Sequence, residues 1–218
     1  MSMQAASYFH NARSEMLAFL PPRYAKVLEV GCGAGAFQAQ LRAGIEYWGV
    51  DPSSSAQEVM SGRAHRFLLG VLDDVIQDLP DRYFDLVIIN DVMEHAPDHL
   101  MFLRQLRSKM APGGHLVGSV PNVRYVSNLS GLLLRKDWAY QVSGGVLDHT
   151  HLRFFTQKSL CRALREEGFE IEQCQGINPV WWSLHRTRML LKRLFYGGMG
   201  LILGHDIPYL QFGFRCKV

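Results

Sequence analysis

No two cysteines of this chain form a CxxC pair, and Cys32, Cys161, Cys174 and Cys216 are not spaced to gather a metal together with a histidine couple. That excludes zinc fingers and ribbons and leaves four reduced packing thiols, as expected of a cytoplasmic protein. No apolar run approaches the roughly 20 residues that a membrane span needs. The first ten residues have neither the basic start nor the apolar stretch of an export signal. Internal repeats and low-complexity segments are also missing. Net charge is small: 23 Lys and Arg against 20 Asp and Glu give +3, too little to suggest a nucleic-acid surface.

What is present is 218 residues, 48% hydrophobic and 20% charged, enough to bury one sizeable core. A single domain over residues 1–218 is expected. The charge is uneven: from Asn178 onward Arg186, Arg188, Lys192, Arg193, Arg215 and Lys217 face only Asp206, so this end carries +5 and the rest −2. With Trp181 and Trp182, the segment 181–203 could rest on an anionic membrane, clamp an acidic substrate, or pack on the domain with a solvated basic face.

Short apolar runs at Lys26–Val30, Tyr47–Val50, Arg66–Leu69, Phe84–Ile89, His115–Ser119, Phe169–Cys174 and Leu210–Cys216 alternate with segments of helical spacing. This pattern predicts a doubly wound, mostly parallel sheet. Phe37 and Leu41 suggest a helix after the first glycine cluster, Ser53-Ser54-Ser55 offers caps, and Leu100, Leu103, Leu106 and Met110 form a core-facing stripe. Thr156 can cap a helix that Gly168 ends. An N-terminal approach helix within residues 1–25, over Ser14–Leu20, stops at Pro21-Pro22. Two long insertions, 122–153 and 178–208, are candidates for a substrate lid and wall.

Chemistry concentrates first in Glu29-Val30-Gly31-Cys32-Gly33-Ala34-Gly35, between a buried strand and the expected helix. Glycines allow positive φ and close ligand approach. Gly31, Gly33 and Ala36 with Asp51 also satisfy the dinucleotide fingerprint. Glu29 argues against a pyrophosphate, which it would repel, and for the ammonium of an amino-acid ligand. Asp51, ending the second strand before Pro52, can accept both hydroxyls of a ribose. A nucleoside carrying an amino acid suits both acids.

With these residues the chain resembles the class I S-adenosylmethionine-dependent methyltransferases. The likeness runs through Val27–Gly35, Gly49-Val50-Asp51-Pro52-Ser53, Phe84–His95 and Met110–Leu116. It implies a Rossmann-like seven-stranded sheet of order 3-2-1-4-5-7-6 with strand 7 antiparallel, and S-adenosylmethionine as cofactor. It further implies that Gly31, Cys32, Gly33 and Gly35 lie along the methionine part, Asp51 and Pro52 at the ribose, and Asn90 and Asp91 near the amino-acid end. Where such enzymes often place an acid for the adenine, this chain has Val71, so Asp73 or Asp74, or the Leu72 backbone, would replace it. Tyr8 and Arg13 resemble an approach segment that closes over the methionine carboxylate.

Methyl transfer to a hydroxyl or amine needs a positioned nucleophile and a proton acceptor. His149 or His151 is the expected base, Asp148 its partner, and His95 a further candidate. No metal is expected, because no acidic cluster accompanies His149-x-His151. The segment Leu147–Thr156 resembles methyltransferases of glycan and cell-envelope biosynthesis, which implies O-methylation of a small or lipid-linked saccharide-type acceptor. Methylation of a quinone or other aromatic metabolite, and a non-catalytic S-adenosylmethionine-binding partner protein, are the alternatives.

Overall fold

Seven apolar runs pair into one sheet in a computed structural model that describes residues 12–142, 144–180, 198, 200 and 203–218. The strands are β1 (Lys26–Val30), β2 (Glu46–Asp51), β3 (Arg66–Leu69), β4 (Phe84–Asn90), β5 (Met110–Pro121), β6 (Glu170–Pro179) and β7 (Tyr209–Lys217). Their order is β3-β2-β1-β4-β5-β7-β6, as the resemblance implies. The first five run parallel, and β7 lies antiparallel between β5 and β6.

Both faces of the central strands are buried, so their residues read as continuous apolar runs and sort by alternation. Leu28, Val87 and Ile89 face one layer with Leu103, Leu106, Leu160 and Leu164. Val27, Leu86 and Ile88 face the other, with Met16 and Phe19. The helices of the first layer have the stops and caps their sequences predict. In α3 (His99–Lys109) the Asp98 carboxylate accepts the Leu100 and Met101 amides, and Thr156 forms a capping box with Ser159 before α5 (Gln157–Glu166). Three shorter α-helices are α1 (Ser54–Met60), α2 (Leu72–Val75) and α4 (Val126–Ser130).

Three local expectations change. The glycine loop does not lead into an α-helix; turns and one 3-10 turn, Gln38–Gln40, follow it. Gly31, Gly33 and Gly35 all take positive φ, outside the right-handed helical region. The approach segment is likewise a 3-10 turn, Ser14–Phe19, anchored by buried Met16 and Phe19. Ser53 precedes α1 without capping it, since its hydroxyl meets Ser55 and its amide donates to Asp51.

Insertion 122–153 folds back onto the sheet. Buried Asn122 donates to the carbonyls of Asp206 and Tyr209, and the Leu152 and Arg153 amides both donate to the Glu94 carbonyl just past β4. Tyr8 and nearly all of 181–203, with its tryptophans and arginines, lie outside the described residues.

One ion pair ties the approach segment to the sheet. Arg13, 8% exposed, pairs with Asp91 just beyond β4 and donates to Ser119 Oγ at 2.9 Å and Gln211 Oε1 at 3.3 Å. Asp91 also accepts from Ser119 and Gln211, both at 2.8 Å. Removing one partner of a buried pair leaves the other charged and unmatched, at a cost of about 3–5 kcal/mol. Arg13→Met should therefore lower the unfolding free energy by roughly 3 kcal/mol in a urea titration. A loss below about 1 kcal/mol would mean that the pair behaves as a solvated surface contact.

Candidate active site

A parallel sheet opens a crevice where neighbouring strands send their connections to opposite faces, here between β1 and β4. A cavity of about 590 Å³ lies there, at the carboxyl ends of β1, β2 and β4. Its floor is Glu29, Val30, Gly31, Cys32 and Gly33, one flank is Asp51 and Pro52, and the other is Asn90, Asp91, Val92 and His95. Leu72 and Asp73 close the end beyond β3, and Arg13 borders the cavity from the approach segment.

Close packing explains the first glycine. At Gly31, φ is +74° and an added Cβ would sit 2.5 Å from Val92 Cγ2. Gly35 does not line the cavity: it lies against Met60, whose sulfur an added Cβ would meet at 2.5 Å, so its role here is packing. The amides of Gly31 and Cys32 donate to the Val50 carbonyl, and that of Gly33 to Asp51 Oδ2 at 2.8 Å. The loop is therefore fastened to the end of β2 instead of presenting the N-terminus of a helix. Asp51 takes the Gly33 and Ser53 amides, one on each oxygen, and still has acceptor capacity for a diol.

Two groups in this region hold polar atoms that nothing satisfies. Neither atom of the Asn90 side-chain amide finds a hydrogen bond, and neither oxygen of Glu94 does. An unpaired amide at the wall of a cavity calls for a partner that the protein itself does not supply. Glu29 is satisfied differently: the Tyr47 hydroxyl donates to it at 2.6 Å. Burial pushes Glu29 up to about 8, against the lowering effect of that bond and with some help from Asp51. Its carboxyl is thus protonated at neutral pH until a cation arrives, so its preference for an ammonium is expressed on binding and not as a standing negative charge.

The candidate bases are dispersed. His95 lines the cavity, and its Nδ1 meets the Thr150 carbonyl at 3.2 Å. Burial, and more weakly the neighbouring His151, hold it below the ordinary imidazole range, while the Thr150 carbonyl pulls the other way. It is accordingly neutral at pH 7. Asp148 and His149 do form a pair, at 3.4 Å, but it faces away from the cavity: the His149 side chain is 56% exposed, and Asp148 closes a turn by accepting from Gly144 and Thr150. The expectation that these two residues form a base at the acceptor is therefore corrected. His151 lies behind His95, ring centroids 4.9 Å apart, with Nε2 4.0 Å from Glu94 Oε1. Sequence reasoning missed Glu94 as a chemical group, because Glu94-His95 reads equally well as a brace at a strand end.

Comparison with known proteins gives a consistent picture. The profile of the family described as "Methyltransferase domain" matches residues 5–174. A mitochondrial ubiquinone biosynthesis O-methyltransferase of Mus musculus is 30% identical over 175 residues, which are 72% of this chain and 46% of that protein. The ubiquinone biosynthesis O-methyltransferase of Nitrobacter winogradskyi is 28% identical over 73% of this chain and 63% of its own length. The chain thus spans about half to under two thirds of the length of these curated relatives. Among solved structures, a SAM-dependent methyltransferase from Archaeoglobus fulgidus superposes with a TM-score of 0.68 at 19% identity, covering 98% of this chain and 94% of its own. The 1,6-didemethyltoxoflavin-N1-methyltransferase of Burkholderia thailandensis, with bound S-adenosylhomocysteine, superposes with a TM-score of 0.61 at 16% identity, covering 97% and 80%.

The elevated Glu29 has a measurable consequence in the ligand-free protein. Unfolding returns the carboxyl to its ordinary value near 4.5, so between about 4.5 and about 8 the folded state binds more protons than the unfolded one. Its contribution to stability therefore falls as pH rises through that window. Glu29→Gln abolishes the penalty, and its unfolding free energy should gain on the parent's between pH 5 and pH 8, by an amount on the order of a few kcal/mol. A difference that stays constant with pH would show that Glu29 is ionised in the folded state.

Proposed function

From the premise that the chain belongs to the methyltransferase-domain family and is an S-adenosylmethionine-dependent methyltransferase, we propose that it methylates a hydroxyl group on a quinone-type or related aromatic ring. The expected saccharide-type acceptor gives way because the named relatives act in ubiquinone biosynthesis. The observation that carries the reading is one cavity that joins the glycine loop and Asp51 to the unpaired Asn90 amide and the neutral His95. Its remaining wall includes Val92, Ala96 and Phe102, an apolar surface suited to a flat ring.

When bound, S-adenosylmethionine supplies an electrophilic methyl group on a sulfonium. This chain's residues do the rest. Asp51 holds the ribose, the backbone at Gly31 and Gly33 allows close approach, Asn90 bonds the amino-acid end, and Glu29 receives the ammonium. Leu72 and Asp73 border the adenine end, where Asp73 replaces the acid missing at Val71. Arg13, with its guanidinium already engaged by Asp91, Ser119, Gln211 and Glu15, holds the approach segment against the cavity rather than reaching for a carboxylate. The acceptor oxygen forms its bond to the methyl carbon as the carbon–sulfur bond breaks, and the hydroxyl proton leaves toward the cluster that His95 opens onto the cavity. General-base help of this kind contributes about 10²–10⁴-fold.

Asp51→Ala should weaken S-adenosylmethionine binding at least tenfold by calorimetry. His95→Ala should leave that affinity within a few-fold but reduce turnover of a catechol-type quinol by about 10² or more. His149→Ala should turn over as the parent does. Methyl transfer to a glycan with none to the quinol would overturn the acceptor assignment.

A further inference from the structure

Among the described residues, five other than glycine take left-handed backbone: Arg13, Arg82, Asp91, Lys136 and Asn178. Three of them, Arg13 (φ +48°), Asp91 (φ +54°) and Asn178 (φ +53°), lie far apart in sequence yet share one side chain, that of Gln211 on β7. Aspartate and asparagine tolerate this region better than arginine does, but each such position costs free energy and persists only where its surroundings fix it. Here hydrogen bonds do so. Gln211 Nε2 donates to both oxygens of Asp91, at 2.8 and 2.9 Å. Gln211 Oε1 accepts from Asn178 Nδ2 at 2.8 Å and from Arg13 at 3.3 Å. The partners dictate how the amide is turned, because a carboxylate only accepts and a guanidinium only donates. Gln211 is 8% exposed, and it is not among the residues that line the cavity.

Asp91 stands between Asn90 and Val92 at the cavity wall, and Arg13 borders the same cavity. Both Asp91 oxygens are taken up by Arg13, Ser119 and Gln211, and its amide donates to the Ser119 carbonyl at 3.0 Å. What Asp91 offers a ligand is therefore the course of its backbone, which sets the direction of the preceding Asn90. The Asn90 amide finds no partner among the described residues. We propose that Gln211 is a positioning residue for the cofactor, acting through Asp91: by holding Asp91 left-handed it aims the Asn90 amide at the amino-acid end of S-adenosylmethionine. The step through Asn90 rests on the cofactor contacts read above; the hold of Gln211 on Asp91 does not. Methionine at position 211 would fill similar space without donating to Asp91. Glutamate would keep an acceptor oxygen for Arg13 and Asn178 but set a second carboxylate against Asp91.

The test is S-adenosylmethionine affinity, measured by calorimetry on the full chain at a temperature where circular dichroism shows each variant folded. Gln211→Met should weaken binding about tenfold, and Gln211→Glu at least as much. Asn90→Ala should cost a similar factor. The double variant Asn90→Ala/Gln211→Met should bind little more weakly than Asn90→Ala alone, because both changes remove the same contact. If one Gln211 variant fails to fold, the other decides. A glutamine that only braced the fold would lower the melting temperature on replacement and leave affinity as in the parent, and that result would overturn the proposal. Losses that simply multiply in the double variant would overturn the route through Asn90. Parental affinity in Asn90→Ala beside weakened binding in Gln211→Met would remove the Asn90 contact and leave Gln211 as a positioning residue.

Discussion

Four carboxyl groups crowd the carboxyl ends of β1, β2 and β4, and the construction of the site follows from how each is compensated. Asp51 is held by backbone amides, Asp91 by Arg13 with Ser119 and Gln211, and Glu29 by the Tyr47 hydroxyl together with its own proton. Neither oxygen of Glu94 has a hydrogen-bond partner among the described residues, and the nearest basic nitrogen, His151 Nε2, is 4.0 Å away. Burying acids so close together is unfavourable unless each is paired, bonded or neutral. Burial accordingly pushes both Glu29 and Glu94 up to about 8, whereas Asp51 and Asp91 keep partners of their own.

The glycine loop reaches the same end by a route its pattern does not suggest. A helix N-terminus would bring partial positive charge suited to phosphate. Here the segment after the loop is turns and a 3-10 turn, and the loop amides are spent on the Val50 carbonyl and Asp51. What remains is steric room above Gly31 beside a carboxylate, a surface matched to a cationic nucleoside and ill suited to a pyrophosphate. The distinction between the two cofactors lies less in the glycines than in this missing helix and the acids around it.

Strand positions were legible because a parallel sheet buried on both faces writes itself as apolar runs at regular intervals, whereas the strand order came from the family resemblance. Every strand forecast from Lys26–Val30 to Leu210–Cys216 lies within or overlaps an observed one, and ends differ by a few residues where Met110–Gly114 or Tyr209 join the backbone pairing. Most of the candidate cofactor residues fall along one cavity for the same reason: they sit at strand ends. The catalytic forecast was less secure because Leu147–Thr156 is a run of turns whose side-chain directions follow from long-range bonds. Asp148 and His149 are polar enough for catalysis, but Asp148 is consumed by Gly144 and Thr150, which turns His149 outward. Nothing local distinguishes His149 from His151.

What does distinguish them is where the insertion is pinned. The Leu152 and Arg153 amides close on the Glu94 carbonyl, and an Asn122–Phe155 bridge fixes both ends of the segment against β5. These bonds set His151 against the end of β4, next in sequence to the backbone contact at Leu152, and leave His149 exposed. The backbone thereby places a histidine of the insertion beside a carboxylate of the sheet scaffold, across 57 positions of sequence, from Glu94 to His151. Because Glu94 contributes its carbonyl to the loop and its side chain to the cluster, loop position and cluster geometry are one constraint. A change that loosens the segment 148–153 must also move His151 away from Glu94 and His95.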